Sequence, residues 1–198
     1  WTFSLSNAAS ISSDFAARCF LSSFMKSIWL LMVLVASFSA KAQTDSLQFP
    51  QDFYGIYKGD LQIVNARGRQ TLQMEFHLNK TDSVGKYQYM LVYIMNGERQ
   101  ERKYHLVTKD ASKGEYLVDE NNGILINAKV MDNTIYSMYE VQDNILTTTE
   151  RFYKDAMDFE ITVSHKTQKL ATGTIGENAI EVISYPVFAV QKAHLQKQ

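Results

Sequence analysis

Leu72-Gln73-Met74-Glu75-Phe76-His77-Leu78 decides the fold class of this chain, because apolar and polar residues alternate along it without a break. Side chains of a β-strand point to opposite faces in turn, whereas a helix needs apolar residues three and four positions apart. Met157-Asp158-Phe159-Glu160-Ile161-Thr162-Val163-Ser164 repeats the alternation far along the chain. Both stretches therefore predict half-buried β-strands with one apolar face.

Outward from these two stretches, short apolar-rich runs continue along the chain, separated by Asn, Asp and Gly residues that suit tight hairpin turns. Strands spaced in this way are typical of a sandwich or an up-and-down barrel, and closing a barrel removes both open sheet edges. We therefore expect an all-β fold, an antiparallel up-and-down β-barrel of about 8–10 strands. The predicted runs are 53–64, 70–79, 87–96, 101–108, 114–118, 123–130, 134–141, 145–153, 157–164 and 180–191.

One stretch near the end of the chain, 166–177, is the least regular. It contains Thr172-Gly173-Thr174-Ile175-Gly176 but lacks the spacing of a phosphate-binding loop. We predict a long connection before the last strand, either an ordinary mobile loop or a lid.

The N-terminal region has the three parts of a secretory signal peptide. Met25-Lys26-Ser27 is followed by an apolar run over 28–38 and then by Ala40-Lys41-Ala42. The run is too short for the ~20 apolar residues that span a bilayer, and small residues at 40 and 42 suit a signal peptidase. We expect cleavage between Ala42 and Gln43.

This interpretation divides the chain into four segments. Residues 1–24 are expected to be upstream translated or artefactual sequence, 25–42 a signal peptide, 43–52 a loose leader and 53–198 the β-barrel domain. The single cysteine, Cys19, lies before the expected cleavage point, so the exported part has no thiol nucleophile and no thiolate ligand for a metal. No cysteine follows Ala42 directly, so we expect no lipoprotein anchor and a soluble protein, periplasmic or secreted.

Charge and motifs exclude several classes of partner and chemistry. The 20 basic and 21 acidic residues are interspersed, which argues against a nucleic-acid or anionic membrane partner. The histidines are not spaced as a metal pair, no catalytic set can be assigned from spacing, and no motif predicts a cofactor. We name no catalytic and no metal-binding residue.

Phe53-Tyr54-Gly55-Ile56-Tyr57-Lys58-Gly59-Asp60-Leu61 resembles the opening strand of lipocalin-like (calycin) barrels. Those families often begin with an aromatic-Gly-x-aromatic segment that closes one end of the barrel, and Tyr57 stands where tryptophan is usual. The chain after the signal is also similar to small exported barrel-type proteins of Gram-negative bacteria. The resemblance implies a lipocalin-like barrel with a small-molecule cavity, in which Tyr57 is a candidate ligand-binding residue.

Two arginine–tyrosine pairs are further candidate ligand-binding residues. Arg151 and Tyr153 have the Arg-x-Tyr spacing with which intracellular lipid-binding barrels hold a ligand carboxylate, although those barrels carry the pair on their last strand. An inward Arg151 would need an acid or an anionic ligand, whereas an outward one would form a surface ion pair. The other face of that strand, with Glu150 among its residues, is the alternative interior. Arg102 and Tyr104 form a second pair with the same ambiguity.

Three functions remain open at this point. The first is an exported barrel that binds a small apolar or amphipathic ligand. The second is a ligand-free interaction or structural barrel of the cell envelope, filled by its own side chains. The third is an isomerase or lyase built on the barrel. A hollow interior would favour the first, and converging acids or histidines with shifted pKa would favour the third. The oligomeric state stays open.

Overall fold

The described part of the chain, residues 47–176 and 179–198 of the computed structural model, consists almost entirely of β-strands. Two 3₁₀ helices, Gln51–Phe53 and Ala111–Lys113, are the helical elements of that part. The strands are β1 (Gly55–Asn65), β2 (Gly68–Lys80), β3 (Lys86–Met95), β4 (Glu98–Asp110), β5 (Glu115–Asp119), β6 (Leu125–Met131), β7 (Thr134–Val141), β8 (Asn144–Phe152), β9 (Ala156–His165), β10 (Leu170–Gly173), β11 (Glu181–Ser184) and β12 (Val187–Lys197).

Ten of these strands form one closed antiparallel barrel. Each of β1 to β8 pairs with the next strand along the chain, and β12 closes the barrel by pairing with both β9 and β1. This confirms the predicted all-β, up-and-down, lipocalin-like barrel. The predicted alternation is also confirmed, because Met74, Phe76 and Leu78 are buried in the core and so are Met157, Phe159 and Ile161.

One end of the barrel is closed by aromatic side chains. Phe152 lies at their centre, with ring centroids 5.5 to 5.8 Å from those of Phe49, Phe53, Tyr57 and Phe76. The 3₁₀ helix Gln51–Phe53 carries Phe53 across this end. The segment that resembles the opening of a calycin barrel therefore closes a barrel end, as the resemblance implies.

The leader and the long loop differ from their predictions. Residues 47–52 were expected to be loose, yet Pro50 is buried and Phe49 packs on Phe53, Tyr116 and Phe152, because the open barrel end needs an apolar cover. The stretch predicted as one loop contains β10, which pairs with β11 in a separate two-stranded hairpin between β9 and β12. Residues 1–46, including the expected signal peptide, lie outside the described residues.

The outer wall contains one carboxylate that is buried by its own partners. Glu75 on β2 accepts two hydrogen bonds from Arg99, at 3.0 and 2.9 Å, and contacts His77 at 2.9 Å and Lys58 at 3.4 Å. The hydrogen bonds from Arg99, more than any other cause, lower the pKa of Glu75 to about 2. His77 lies on the polar face as the alternation predicts, but the pairing with Glu75 buries its ring.

No helix of the described ranges is long and apolar enough to cross a membrane.

Candidate functional site

The end of the barrel opposite the aromatic plug is partly open. Side chains in the plug are almost completely buried, whereas inward-facing residues nearer the other end are only partly buried. This gradient shows that the plugged end, the base, is closed to solvent and that the other end, the mouth, is more accessible. The partly buried, inward-facing residues are Ile63, Leu72, Tyr93, Tyr104, Ile126, Tyr139, Leu146 and Val163.

Arg102 is a cation on the inner face of this mouth. It pairs across β3 and β4 with Leu91, which belongs to the hydrophobic core. Its guanidinium lies 5.9 Å from the centre of the Tyr93 ring, a cation–π geometry, and its Nη1 donates to the hydroxyl of Tyr104 at 3.5 Å. Within the described ranges, no carboxylate forms an ion pair with Arg102.

Glu150 is a carboxyl group buried deeper in the same interior. It lies on the inner face of β8 and is 1% exposed. The hydroxyl of Tyr89 donates to its Oε1 at 3.0 Å. The hydroxyl of Thr148, two residues earlier on the same face, lies close enough to lower the pKa of the carboxyl group, but no described residue makes a hydrogen bond of acceptable geometry to Oε2. Burial raises the pKa of Glu150 to about 7, because the charged form is poorly solvated there.

Arg102 and Glu150 face one common space. Burial raises the pKa of Tyr93 to about 12, and it also raises the pKa of Tyr139. In both tyrosines the positive charge of Arg102 lowers the pKa and the negative charge of Glu150 raises it. The two tyrosines therefore lie within electrostatic reach of both groups.

Of the two arginine–tyrosine pairs, the structure places only Arg102 and Tyr104 on the inner face of the barrel, at the mouth, where Arg102 is exposed and Tyr104 is partly buried. The structure does not place Arg151 in the interior. Glu150 and Phe152 on either side of it are buried inside the barrel, so Arg151 points outward. Its Nε donates to Thr134 at 3.4 Å, and it borders an outer groove of about 670 Å³.

Tyr153 lies beyond the end of β8 and is partly exposed outside the barrel. Its hydroxyl donates to Asp158 Oδ2 at 2.8 Å, and the other oxygen of Asp158 contacts Nδ1 of His194 at 2.7 Å. Arg151 and Tyr153 both make their hydrogen bonds on the outer surface, so they do not form an interior carboxylate clamp.

Tyr57, the remaining candidate, is a structural residue of the plug. It is completely buried, its hydroxyl donates to the carbonyl oxygen of Phe53 at 2.6 Å, and its ring packs edge-on against Phe152. This position stabilises the closed base and lies away from the mouth.

Glu150 is the functional candidate that sequence reasoning did not select. The only signal was its place among Leu146, Thr148 and Phe152 on the alternative inner face of the strand. A strand face that contains one acidic residue among apolar residues and a threonine can point either to solvent or to the core. In the described ranges, no three His, Cys, Asp or Glu side chains come together as a metal site.

The comparisons with known proteins support the fold and give no family. The chain matches no known protein family and no curated protein. Among solved structures, the S-type phycobiliprotein lyase CPES from Guillardia theta has a similar, calycin-like barrel with a TM-score of 0.52. The match covers 75% of this chain and 89% of that one, at 6% sequence identity. Such a likeness shows a shared lipocalin-like barrel architecture and nothing about activity.

Proposed function

We propose that this barrel binds a small amphipathic molecule through its open end, with an acidic group of the ligand at Arg102. The observation that carries the proposal is an inward guanidinium at a mouth whose walls are mostly apolar. Arg102 is exposed at the mouth, so water solvates it when no ligand is bound, and its planar guanidinium suits a bidentate pair with a carboxylate that enters there. The protein offers Arg102 a tyrosine ring and a hydroxyl, which leaves most of its donors available for a carboxylate.

The shape of the interior supports the same function. Because Phe152 and its neighbours plug one end of the barrel, the proposed ligand enters from the other end. Partly buried Ile63, Leu72, Leu146 and Val163 offer an apolar chain a surface to cover, and burying that surface drives association.

Replacing Arg102 with methionine is expected to weaken binding of a fatty-acid probe such as hexadecanoate at least tenfold. A hydrogen bond to a charged group contributes about 1.5–3 kcal/mol, and each 1.4 kcal/mol corresponds to roughly tenfold in affinity. Isothermal titration calorimetry on the chain from residue 43 onward measures the change.

Arg151→Met is the matched control, because the same substitution there removes an arginine from the outer wall of the barrel. It should leave the affinity for hexadecanoate unchanged. Equal effects of the two substitutions would contradict the assignment of Arg102. Absence of binding by the unmodified protein, together with no co-purified small molecule in native mass spectrometry, would favour the ligand-free structural barrel.

One observation favours an isomerase or lyase as a second candidate. A buried carboxyl group whose pKa lies near neutrality suits proton transfer to or from a bound substrate. Recovery of a co-purified ligand chemically unchanged after prolonged incubation would favour the binding protein over the enzyme.

We also propose that the protein is exported, with mature sequence beginning at Gln43. The charge of Lys26, the short apolar run and Ala40-Lys41-Ala42 support cleavage there. Mass spectrometry of the protein recovered from the periplasm or medium should give a chain that starts at Gln43, with or without cyclisation to pyroglutamate. A recovered chain that begins before Met25 would contradict export by this signal.

A further inference from the structure

The unpartnered oxygen of Glu150 is the least explained atom of the interior. Buried polar side-chain atoms almost always have a hydrogen-bond partner, since leaving one unpaired costs about 1–3 kcal/mol. The residues directly opposite Glu150 on the two neighbouring strands, Ile135 and Phe159, are apolar and fully or almost fully buried. Neither side chain can donate a hydrogen bond to Oε2, and the hydroxyl of Thr148, the donor nearest on the same strand, does not reach it with acceptable geometry.

The position of this oxygen relates it to the proposed ligand. Tyr89, on β3 across the interior, donates a hydrogen bond to Oε1. This hydrogen bond fixes the orientation of the carboxyl group. Arg102 donates to the hydroxyl of Tyr104, the Tyr104 ring stacks on that of Tyr89 with centroids 6.5 Å apart, and Tyr89 donates to Glu150. A ligand that enters at Arg102 and extends inward therefore approaches the carboxyl group.

We propose that Glu150 Oε2 accepts a hydrogen bond from a hydroxyl or N–H group on the buried part of the ligand. This inference rests on the proposed ligand-binding function and narrows its substrate class. The ligand has two polar ends, an acidic group held at the mouth by Arg102 and a hydrogen-bond donor placed farther along an otherwise apolar body. A site built around a buried acceptor discriminates against an analogue that cannot donate to it.

The test compares probes that differ only in the donor. Hexadecanoate is measured beside its monohydroxylated isomers, with the hydroxyl at successive positions, and beside the methyl ether of the tightest-binding isomer. At pH 8, above the pKa of Glu150, we expect at least one hydroxylated isomer to bind about tenfold tighter than hexadecanoate, in line with a hydrogen bond to a charged acceptor. The methyl ether, which accepts but does not donate, should lose that gain.

Two variants assign the preference to Glu150. Glu150→Leu should bind hexadecanoate and its hydroxylated isomer equally, since it removes the acceptor and fills the space with an apolar side chain. Glu160→Leu is the matched control on the outer face of neighbouring β9, where the carboxylate pairs with Lys192 at 3.1 Å, and it should keep the tenfold preference. Thermal unfolding curves, monitored by circular dichroism, check that both variants are folded.

The outcomes separate this inference from the proposed function. Suppose that hexadecanoate binds and Arg102→Met weakens its binding, but no hydroxylated isomer binds tighter than hexadecanoate. The proposed ligand-binding function then stands, and the inference that the ligand donates a hydrogen bond to Glu150 is wrong. A trapped water that satisfied Oε2 would give this result. If the methyl ether binds as tightly as the hydroxyl, Glu150 donates rather than accepts, and the inference is overturned. If no probe binds, both proposals fall.

Discussion

Replacing Phe152 with alanine is expected to lower the free energy of unfolding by about 3–5 kcal/mol, the range for removing a buried aromatic side chain. The ring is completely buried and contacts four other aromatic rings, those of Phe49, Phe53, Tyr57 and Phe76. Its removal leaves a cavity where the strands and the 3₁₀ helix Gln51–Phe53 meet, and those neighbours cannot all move inward together. Chemical denaturation in urea gives the change in free energy directly.

Tyr153→Ala is the control for this prediction. It removes an aromatic ring from the next residue along the chain, but from the outer surface. We expect a loss of about 1 kcal/mol or less there, as is usual for exposed positions. A loss of about 1 kcal/mol or less for Phe152→Ala as well would show that the plug does not stabilise the barrel.

The second large effect is expected at Glu150, where a substitution should increase stability. The pKa of this carboxyl group is about 7 in the folded chain, against an ordinary value of 4.5. As the pH rises from about 4.5, the unfolded chain releases this proton first, so the folded state loses stability until the pH exceeds about 7. The difference between the two pKa values corresponds to a loss of about 3 kcal/mol in the free energy of unfolding.

Glu150→Gln removes this pH dependence, because an amide resembles the neutral acid and its oxygen can accept the hydrogen bond from Tyr89. We expect the variant and the original protein to be about equally stable near pH 4. At pH 8 the variant should be more stable by about 2–3 kcal/mol. Urea denaturation at several pH values between 4 and 8 measures both. If the free energies of unfolding of the two proteins change with pH in parallel over this range, Glu150 ionises as easily in the folded state as in the unfolded one.

The fold of the barrel could be predicted from sequence because period-two alternation is a local signal. Leu72–Leu78 carries it in seven residues, and turn residues mark where each strand ends. The hairpin of β10 and β11 could not be predicted in the same way. Its strands are four residues each and exposed throughout, so no buried face imposes a pattern on them.

The candidate site was only partly predictable, for a different physical reason. Arg102 and Arg151 each precede a tyrosine by two residues, and both lie in strands of mixed polarity. Which face of such a strand turns inward is decided by its register with neighbouring strands. Leu91 opposite Arg102 and Phe159 opposite Glu150 make that decision, and each lies on the other strand of a hairpin, so the strand's own pattern does not contain it.

Closure of the barrel by β12 has a consequence for how the chain folds. The first strand finds its second neighbour only in the last eleven residues of the barrel, with Tyr57 opposite Lys197. Contacts of such long sequence separation make folding slow, because much chain entropy is lost before closure stabilises the structure. Until β12 is in place, β1 and β9 present bare hydrogen-bonding edges, and an unfinished barrel can pair with other chains there. Aggregation during folding is therefore governed by the arrival of the final strand, well after the other nine barrel strands have been synthesised.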